Sequence, residues 1–191
     1  MKKVVFWLTL IVGIVALIGS CAKSEDSTTT ASTTASTTTS GDNTSITTTT
    51  PSGSITLGSY TMSGVYKSAC ATSLASFFIS AGAFPSDVKS YAFAFVVTGN
   101  DNVSMETHTY TDTGCTTSSY ISKYIRDNVT VGTASGANYP VTYNDQGVKW
   151  TVNTTTAETW LETLYANVGT TVNMTVGTEK AIPPASTTFT Y

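Results

Sequence analysis

The side chains best suited to acid–base chemistry stand at alternate positions of one segment: Glu106, His108 and Tyr110. Successive side chains of a β-strand point to opposite faces, so a strand would place this carboxylate, imidazole and phenol side by side, within reach of proton exchange. Alternation also produces such trios on solvated sheet faces, and this is the interpretation that we favour. The chain has no Gly-x-Ser-x-Gly elbow, phosphate-binding loop or zinc-binding helix. We therefore expect a protein that is not an enzyme and needs no cofactor.

The amino-terminal segment has the layout of a secretory signal that ends at a cysteine. Two lysines precede an apolar run from Val4 to Ile18, and the small residues Gly19 and Ser20 stand directly before Cys21. Small side chains at these positions let a signal peptidase approach the backbone, which predicts a signal peptide over residues 1–20. Ordinary secretion is one alternative. An uncleaved anchor is another, since 19 consecutive uncharged residues at about 1.5 Å each nearly cross a bilayer of about 30 Å.

The sequence Ile18-Gly19-Ser20-Cys21 resembles the lipobox of bacterial lipoproteins. In that family the cysteine thiol is diacylated before cleavage and the new amino terminus is often acylated afterwards, so the resemblance implies palmitate or similar acyl chains on Cys21. Two or three such chains hold a protein on a membrane, because each buried CH₂ contributes about 0.8 kcal/mol. Ala22 stands where the family's inner-membrane retention signal has Asp. The resemblance therefore implies a lipid-anchored location in the cell envelope, at the outer membrane or the cell surface.

Cys70 and Cys115 remain as a pair once Cys21 is acylated. Exported proteins fold in an oxidising compartment, where an even pair of cysteines favours a disulfide. A metal site and a reactive thiol are the alternatives. A metal site needs further ligands at fixed spacing, and the chain offers only His108. The run Asn100-Asp101-Asn102 is too short for a calcium loop and predicts a turn, so we expect no metal.

A segment dominated by serine and threonine follows Cys21. Of the 28 residues from 27 to 54, 20 are Ser or Thr and none is aromatic. Such a segment buries too little apolar area to offset the entropy of ordering its backbone, so we predict a disordered tether. A glycosylated, mucin-like stalk is the alternative to an unmodified spacer. We expect the lipidated cysteine and its tether to span residues 21–54 and one folded domain to span residues 55–191.

The charge of the exported chain argues against nucleic acid as a partner. Without the two lysines of the signal, seven Lys and Arg residues oppose twelve Asp and Glu residues, which gives a net charge of −5. Nucleic acids and anionic membrane surfaces attract clustered Lys and Arg, and the sequence contains no such cluster. The abundant Thr, Tyr, Val and Gly are typical of β-rich domains.

Apolar and polar side chains alternate through most of the predicted domain. On the first clear strand, Tyr91, Phe93 and Phe95 share one face. Turn sequences at 99–102 and 144–147 are expected to connect strands into hairpins. The other predicted strands lie around residues 103–109, 120–125, 139–143, 148–152, 172–176 and 189–191. Strands joined by tight turns predict an all-β domain, either an antiparallel barrel or a sandwich.

One short amphipathic helix is expected to interrupt the strand pattern. Thr155-Thr156-Ala157-Glu158 has the spacing of a capping box, and Trp160, Leu161 and Leu164 follow at helical spacing. These residues predict a helix over 156–167 that packs its apolar stripe against the sheet. The segment 72–84 breaks the pattern as well, and a strand, a short helix or a lid all fit its sequence.

Three short motifs in the folded part carry a resemblance to a known family. Gly64-Val65-Tyr66 is similar to the Gly-x-Trp that opens lipocalins, a cysteine follows closely, and Tyr110-Thr-Asp-Thr-Gly-Cys115 precedes a strand rich in Tyr and Ile. Together they resemble the lipocalin-like β-barrel lipoproteins of bacteria, with Tyr66 in place of the family's tryptophan. The resemblance implies an up-and-down antiparallel sheet closed into a barrel, with an apolar molecule bound in its mouth.

Two classes of function follow from these expectations. In the first, the barrel binds a small apolar ligand such as a lipid. The aromatic face of Tyr91, Phe93 and Phe95 would then line a cavity, although a packed core explains that face equally well. In the second, the domain is structural or adhesive and binds a macromolecule through its outer surface. In both, acyl chains on Cys21 attach the protein to the membrane.

Overall fold

A computed structural model of the chain describes residues 46–57, 60–133, 139–184 and 188–190. Cys21, the predicted signal peptide and most of the predicted tether lie outside these residues. The described part of the chain contains nine strands and two helices. In chain order they are β1 (Ile55–Leu57), β2 (Tyr60–Met62), β3 (Val65–Lys67), α1 (Ala75–Ser80), β4 (Ser90–Val97), β5 (Val103–Tyr110), β6 (Ser118–Val131), β7 (Val141–Val152), α2 (Thr155–Ala166), β8 (Glu179–Ile182) and β9 (Thr188–Thr190).

The strands form one large antiparallel sheet and one small hairpin. Strands β3 to β8 are hydrogen-bonded neighbours in chain order, β9 also pairs with β7, and β1 pairs only with β2. Short connections make consecutive strands into neighbours, so the all-β class and the up-and-down order are confirmed. Among the described strands, none joins β3 to β8, and the sheet is therefore open. The barrel implied by the lipocalin resemblance is not confirmed.

The hairpin of β4 and β5 agrees with its prediction. Its register runs from Ser90 opposite Tyr110 to Val97 opposite Val103. The backbone N–H of Thr98 donates to the carbonyl of Asn102 at 2.9 Å and closes the turn at the predicted place. This hairpin forms because strict alternation and a polar turn point to the same register.

The turn predicted at residues 144–147 is wrong, because this segment lies inside the continuous strand β7. The pairing of β6 with β7 shifts register between Tyr124 and Arg126, so the turn-forming residues produce a bulge instead of a chain reversal. Gly147 has a φ of +93° and donates its N–H to the Asp145 carboxylate at 2.8 Å. A side chain at Gly147 would collide with the carbonyl of Ile182 in β8.

The strand predicted around residues 172–176 is also absent from the described sheet. Val172 and Met174 are buried, as alternation predicted, but this segment forms no ladder with a described strand. Instead, the N–H of Met174 donates to the carboxylate of Glu162 in α2 at 2.8 Å. The segment is therefore bonded to α2 and is not a member of the sheet.

The predicted helix is confirmed one residue earlier than expected, and a second helix accompanies it. Thr154, not Thr155, caps α2, since its hydroxyl accepts the N–H of Ala157 at 3.1 Å. The fold class with one helix therefore needs correction, because residues 75–80 form α1. A Schellman motif ends α1: Gly82 has a φ of +74°, and the next N–H, of Ala83, bonds back to the Phe78 carbonyl at 2.8 Å.

Candidate functional site

One face of the sheet carries most of the domain's aromatic rings. The strand registers place Tyr91, Phe93 and Phe95 of β4 on the same face as aromatic residues of β6 and β7. We call this the aromatic face; its further members are Tyr120, Tyr124 and Trp150. Phe78 of α1 packs against Tyr91 with ring centroids 5.4 Å apart. Both helices contribute aromatic rings to this face, so at this end of the sheet it is a packed core.

The phenols of the aromatic face are held in their neutral form. Burial raises the pKa of Tyr120 well above its ordinary value. Burial also raises the pKa of Tyr124, and the neighbouring Tyr165 adds to the rise. These hydroxyls therefore stay protonated across the physiological range, and the aromatic face carries no charge from them.

An open groove of about 700 Å³ lies between α2 and the segment that follows α1. Phe84 and Trp160 line it together with Ile79 and Leu164, and none of the described residues that line it is charged. Threonine hydroxyls at every fourth position of α2 add a polar row: Thr155, Thr159 and Thr163. The groove therefore combines an apolar, partly aromatic surface with hydroxyl groups.

Trp160 is fixed within the groove by two contacts. Its ring stacks on Tyr120 of the aromatic face, with centroids 5.2 Å apart and planes 23° apart. Its indole N–H donates to the carbonyl of Gly82 at 3.1 Å. The indole's polar group is thus already satisfied, and the ring offers the groove mainly apolar surface.

Asp87 links the start of α2 to the sheet through two hydrogen bonds. One carboxylate oxygen accepts the hydroxyl of Thr154 at 2.7 Å, and the other accepts the hydroxyl of Ser119 at 2.9 Å. Thr154 is the cap of α2 and Ser119 lies in β6. The carboxylate therefore joins the loop after α1, the start of α2 and the sheet.

The opposite face of the sheet carries several buried polar side chains. Glu106 and His108 are each only 2% exposed, so the solvated face predicted for them is wrong. Their side chains meet at 2.9 Å between Glu106 Oε2 and His108 Nε2. Tyr110 is buried on the same face, and burial together with the charge of Asp112 raises its pKa. We call the side that carries these residues the polar face.

The carboxylate of Glu106 stays ionised despite its burial. Burial by itself raises the pKa of Glu106, but hydrogen bonds from His108 and Thr49 lower the pKa by more. The backbone N–H of Thr49 donates to Oε1 at 2.9 Å. Because the pair is enclosed and bonded to backbone, we assign it a structural role.

Residues 46–54, which we name the strap, lie against the polar face. The side chain of Ile46 is buried among Ala92, Tyr110 and Cys115, and its carbonyl accepts the Lys67 ammonium at 3.1 Å. These residues belong to the predicted tether, so the packed part of the chain extends beyond the boundary that we predicted at residue 55.

The far end of the strap fits closely against the β4–β5 turn. The N–H of Ser52 donates to the carbonyl of Val97 at 2.9 Å. Gly53 has a φ of +67°, and a Cβ there would lie 2.6 Å from the carbonyl carbon of Gly99. Only glycine suits this position, because it adopts a positive φ without strain and has no Cβ to collide with the backbone of Gly99.

Cys70 and Cys115 form the predicted disulfide, with Cα atoms 6.0 Å apart. The bridge lies beside Ile46 and joins the chain before α1 to the connection between β5 and β6. In the described part of the chain, no three His, Cys, Asp or Glu side chains could hold a metal ion together. Asn100 and Asp101 lie in the turn between β4 and β5, where the sequence placed them.

The groove was not predicted from the sequence. Trp160 was expected to pack in the core, and its ring does pack on Tyr120, but the ring also lines the groove. The threonine row of α2 was the available signal, since residues four apart lie on one side of a helix. No local pattern could have shown that Gly82, 78 residues from Trp160, lies opposite it.

Comparisons with known proteins add no assignment. No family model matches the chain, and neither a curated protein nor a solved structure is significantly similar to it. None of the helices in the described ranges is long and apolar enough to cross a membrane.

Proposed function

We propose that this chain is a lipid-anchored protein of the bacterial cell envelope whose β-domain binds a small, uncharged and largely apolar ligand in the groove beside α2. The lipobox-like sequence ending at Cys21 supports the anchor. The single observation that carries the binding role is Trp160, which lines a groove of about 700 Å³ among residues that carry no charge.

The lining of the groove favours a small molecule. Ligand sites in proteins combine apolar walls with a few polar groups. Here Phe84 and Trp160 supply ring surface, and Thr159 adds a hydroxyl. A charged ligand would lose hydration without gaining a partner of opposite charge, so an uncharged ligand fits better.

The proposed ligand lies beside the helices, not inside a barrel. At one end of the aromatic face, Phe78 and Trp160 already occupy the surface that a barrel ligand would contact. The lipocalin-like barrel stays a prediction, since closure needs a ladder between β3 and a strand at the other side of the sheet. We propose binding and no catalysis, because Glu106 and His108 lie buried and bonded to each other.

A macromolecular partner is the second candidate, as expected for a structural or adhesive module. The groove is open to solvent, so an extended chain could lie along it. An extended chain would contact the groove along its length, whereas a small apolar probe would make few of these contacts and bind weakly.

Binding of the uncharged fluorescent probe N-phenyl-1-naphthylamine tests the proposal. We expect saturable binding by the protein and loss of binding in Thr159→Arg, which places a charge in the groove. Thr178→Arg is the matched control, because Thr178 is exposed and does not line the groove. Equal binding by both variants would show that the probe binds outside the groove. No binding by the wild type would favour the macromolecular partner.

A further inference from the structure

Two large apolar side chains are exposed at α1. Phe77 is 57% exposed and Leu74 is 39% exposed. Leu74 directly precedes α1 and Phe77 lies in its first turn, so both exposed side chains stand at the amino-terminal end of this helix. The segment 72–84 around them contains no charged residue. These side chains thus form an uncharged apolar projection, which is costly to leave in water.

This projection lies at the end of the domain where the chain from Cys21 arrives. The described chain begins at Ile46, which packs beside Cys70. Cys70 precedes Leu74 by four residues, so their Cα atoms are at most about 14 Å apart. Phe78 of α1 packs on Tyr91, and Ile46 packs on the next residue of β4, Ala92, from the other face of the sheet. Both α1 and Ile46 therefore lie at the start of β4.

We propose that Leu74 and Phe77 insert into the interface of the lipid bilayer to which Cys21 is anchored. The inference rests on the proposed lipid anchor. Twenty-four residues separate Cys21 from Ile46, and that length spans at most about 85 Å even when fully extended. The anchor therefore keeps the domain within that distance of the bilayer, and insertion of the projection becomes an intramolecular step.

In this proposal the projection contacts the apolar edge of the bilayer, not its charged headgroups. No lysine or arginine lies in the segment 72–84, so attraction to anionic lipid makes no contribution there. Insertion is favoured because the side chains of Phe77 and Leu74 are removed from water. Insertion should therefore occur on uncharged phosphatidylcholine and change little with salt.

Quenching by brominated lipid tests this orientation. The mature lipidated chain is reconstituted into phosphatidylcholine vesicles that contain brominated acyl chains, as Phe77→Trp and as Asp101→Trp. Asp101 is exposed in the β4–β5 turn, at the opposite end of β4 from Tyr91, on which α1 packs, so it is the control position. Trp150 and Trp160 give the same background in both variants. We expect quenching of the tryptophan at 77 to exceed that at 101 several-fold, and Leu74→Ser to reduce the difference.

Two results would overturn the inference, and they differ in what else they overturn. Equal quenching at both positions in vesicle-bound protein would refute the orientation and leave the anchor intact. Failure of the protein to float with the vesicles would refute both the anchor and the orientation.

Discussion

The indole N–H of Trp160 donates a hydrogen bond to the carbonyl of Gly82 across 3.1 Å. This bond joins α2 to the segment after α1, two elements that lie 78 residues apart in the chain. Gly82 itself ends α1 through its positive φ. The groove therefore depends on a helix end and on a helix face that meet only in the folded domain.

Replacement of Asp87 by Ala should loosen the groove and destabilise the domain. The Thr154 cap and the Ser119 hydroxyl both lose their acceptor, at a cost of about 1–3 kcal/mol. Chemical denaturation measures the loss, and probe binding should weaken with it. Asp127→Asn is the control, because the Asp127 carboxylate accepts only from the neighbouring Asn128 amide among the described side chains. If Asp87→Ala were as stable as Asp127→Asn, the hydrogen bonds of Asp87 would not stabilise the attachment of α2.

Gly53→Ala should detach the strap from the β4–β5 turn. The alanine must adopt a positive φ, and its Cβ would overlap the backbone at Gly99, so we expect a loss of about 2–4 kcal/mol. Gly169→Ala separates the two effects, since Gly169 has a φ of +79° but no atom of the described residues lies within 4 Å of the added Cβ. Hydrogen exchange should rise in residues 46–54 only for Gly53→Ala. Equal effects of the two variants would mean that close packing at Gly53 contributes nothing.

Glu106 should make the domain's stability depend on acid pH. Its folded-state pKa lies below the ordinary value of 4.5, so its contribution is present above that pH and is lost as the pH falls through the lower folded value. Glu106→Gln should cost about 1–3 kcal/mol at pH 7. The difference in unfolding free energy between wild type and variant should then shrink below pH 4.5.

The exposed Asp101 provides the comparison for Glu106, as Asp101→Asn. A difference between wild type and Glu106→Gln that stays constant from pH 7 to pH 3 would contradict the assignment of an ionised, hydrogen-bonded carboxylate.

Cys21→Ser should abolish acylation and release the protein from membranes. The substitution removes the thiol to which the acyl chains would attach, whereas Cys70 and Cys115 are already joined to each other. Metabolic labelling with a fatty-acid analogue and membrane fractionation measure both effects. Unchanged labelling in Cys21→Ser would contradict the lipobox assignment.

The parts of the fold that the sequence predicted are those with local causes. The β4–β5 hairpin follows from alternation on both sides of a polar turn, and α2 follows from its threonine cap and apolar stripe. The turn predicted at residues 144–147 is wrong because Gly147 permits a bulge as readily as a turn. Local pattern alone could not distinguish the two.

The polar face and the strap could not be predicted for a different reason. Composition marks residues 46–54 as a tether, and only the tertiary contact between Thr49 and Glu106, 57 residues apart, shows that they pack. A run of threonines does not by itself indicate such a tertiary contact. The same holds for Asp87 and Thr154, which meet across 67 residues.

Native mass spectrometry of the wild-type protein and of Thr159→Arg, both extracted from the cell envelope, tests the central claim most directly. The account predicts that the wild type carries a non-covalent, uncharged ligand and that Thr159→Arg, equally folded and equally acylated, carries none. Identical spectra for the two proteins, with the same adduct or with no adduct, would contradict the proposed groove.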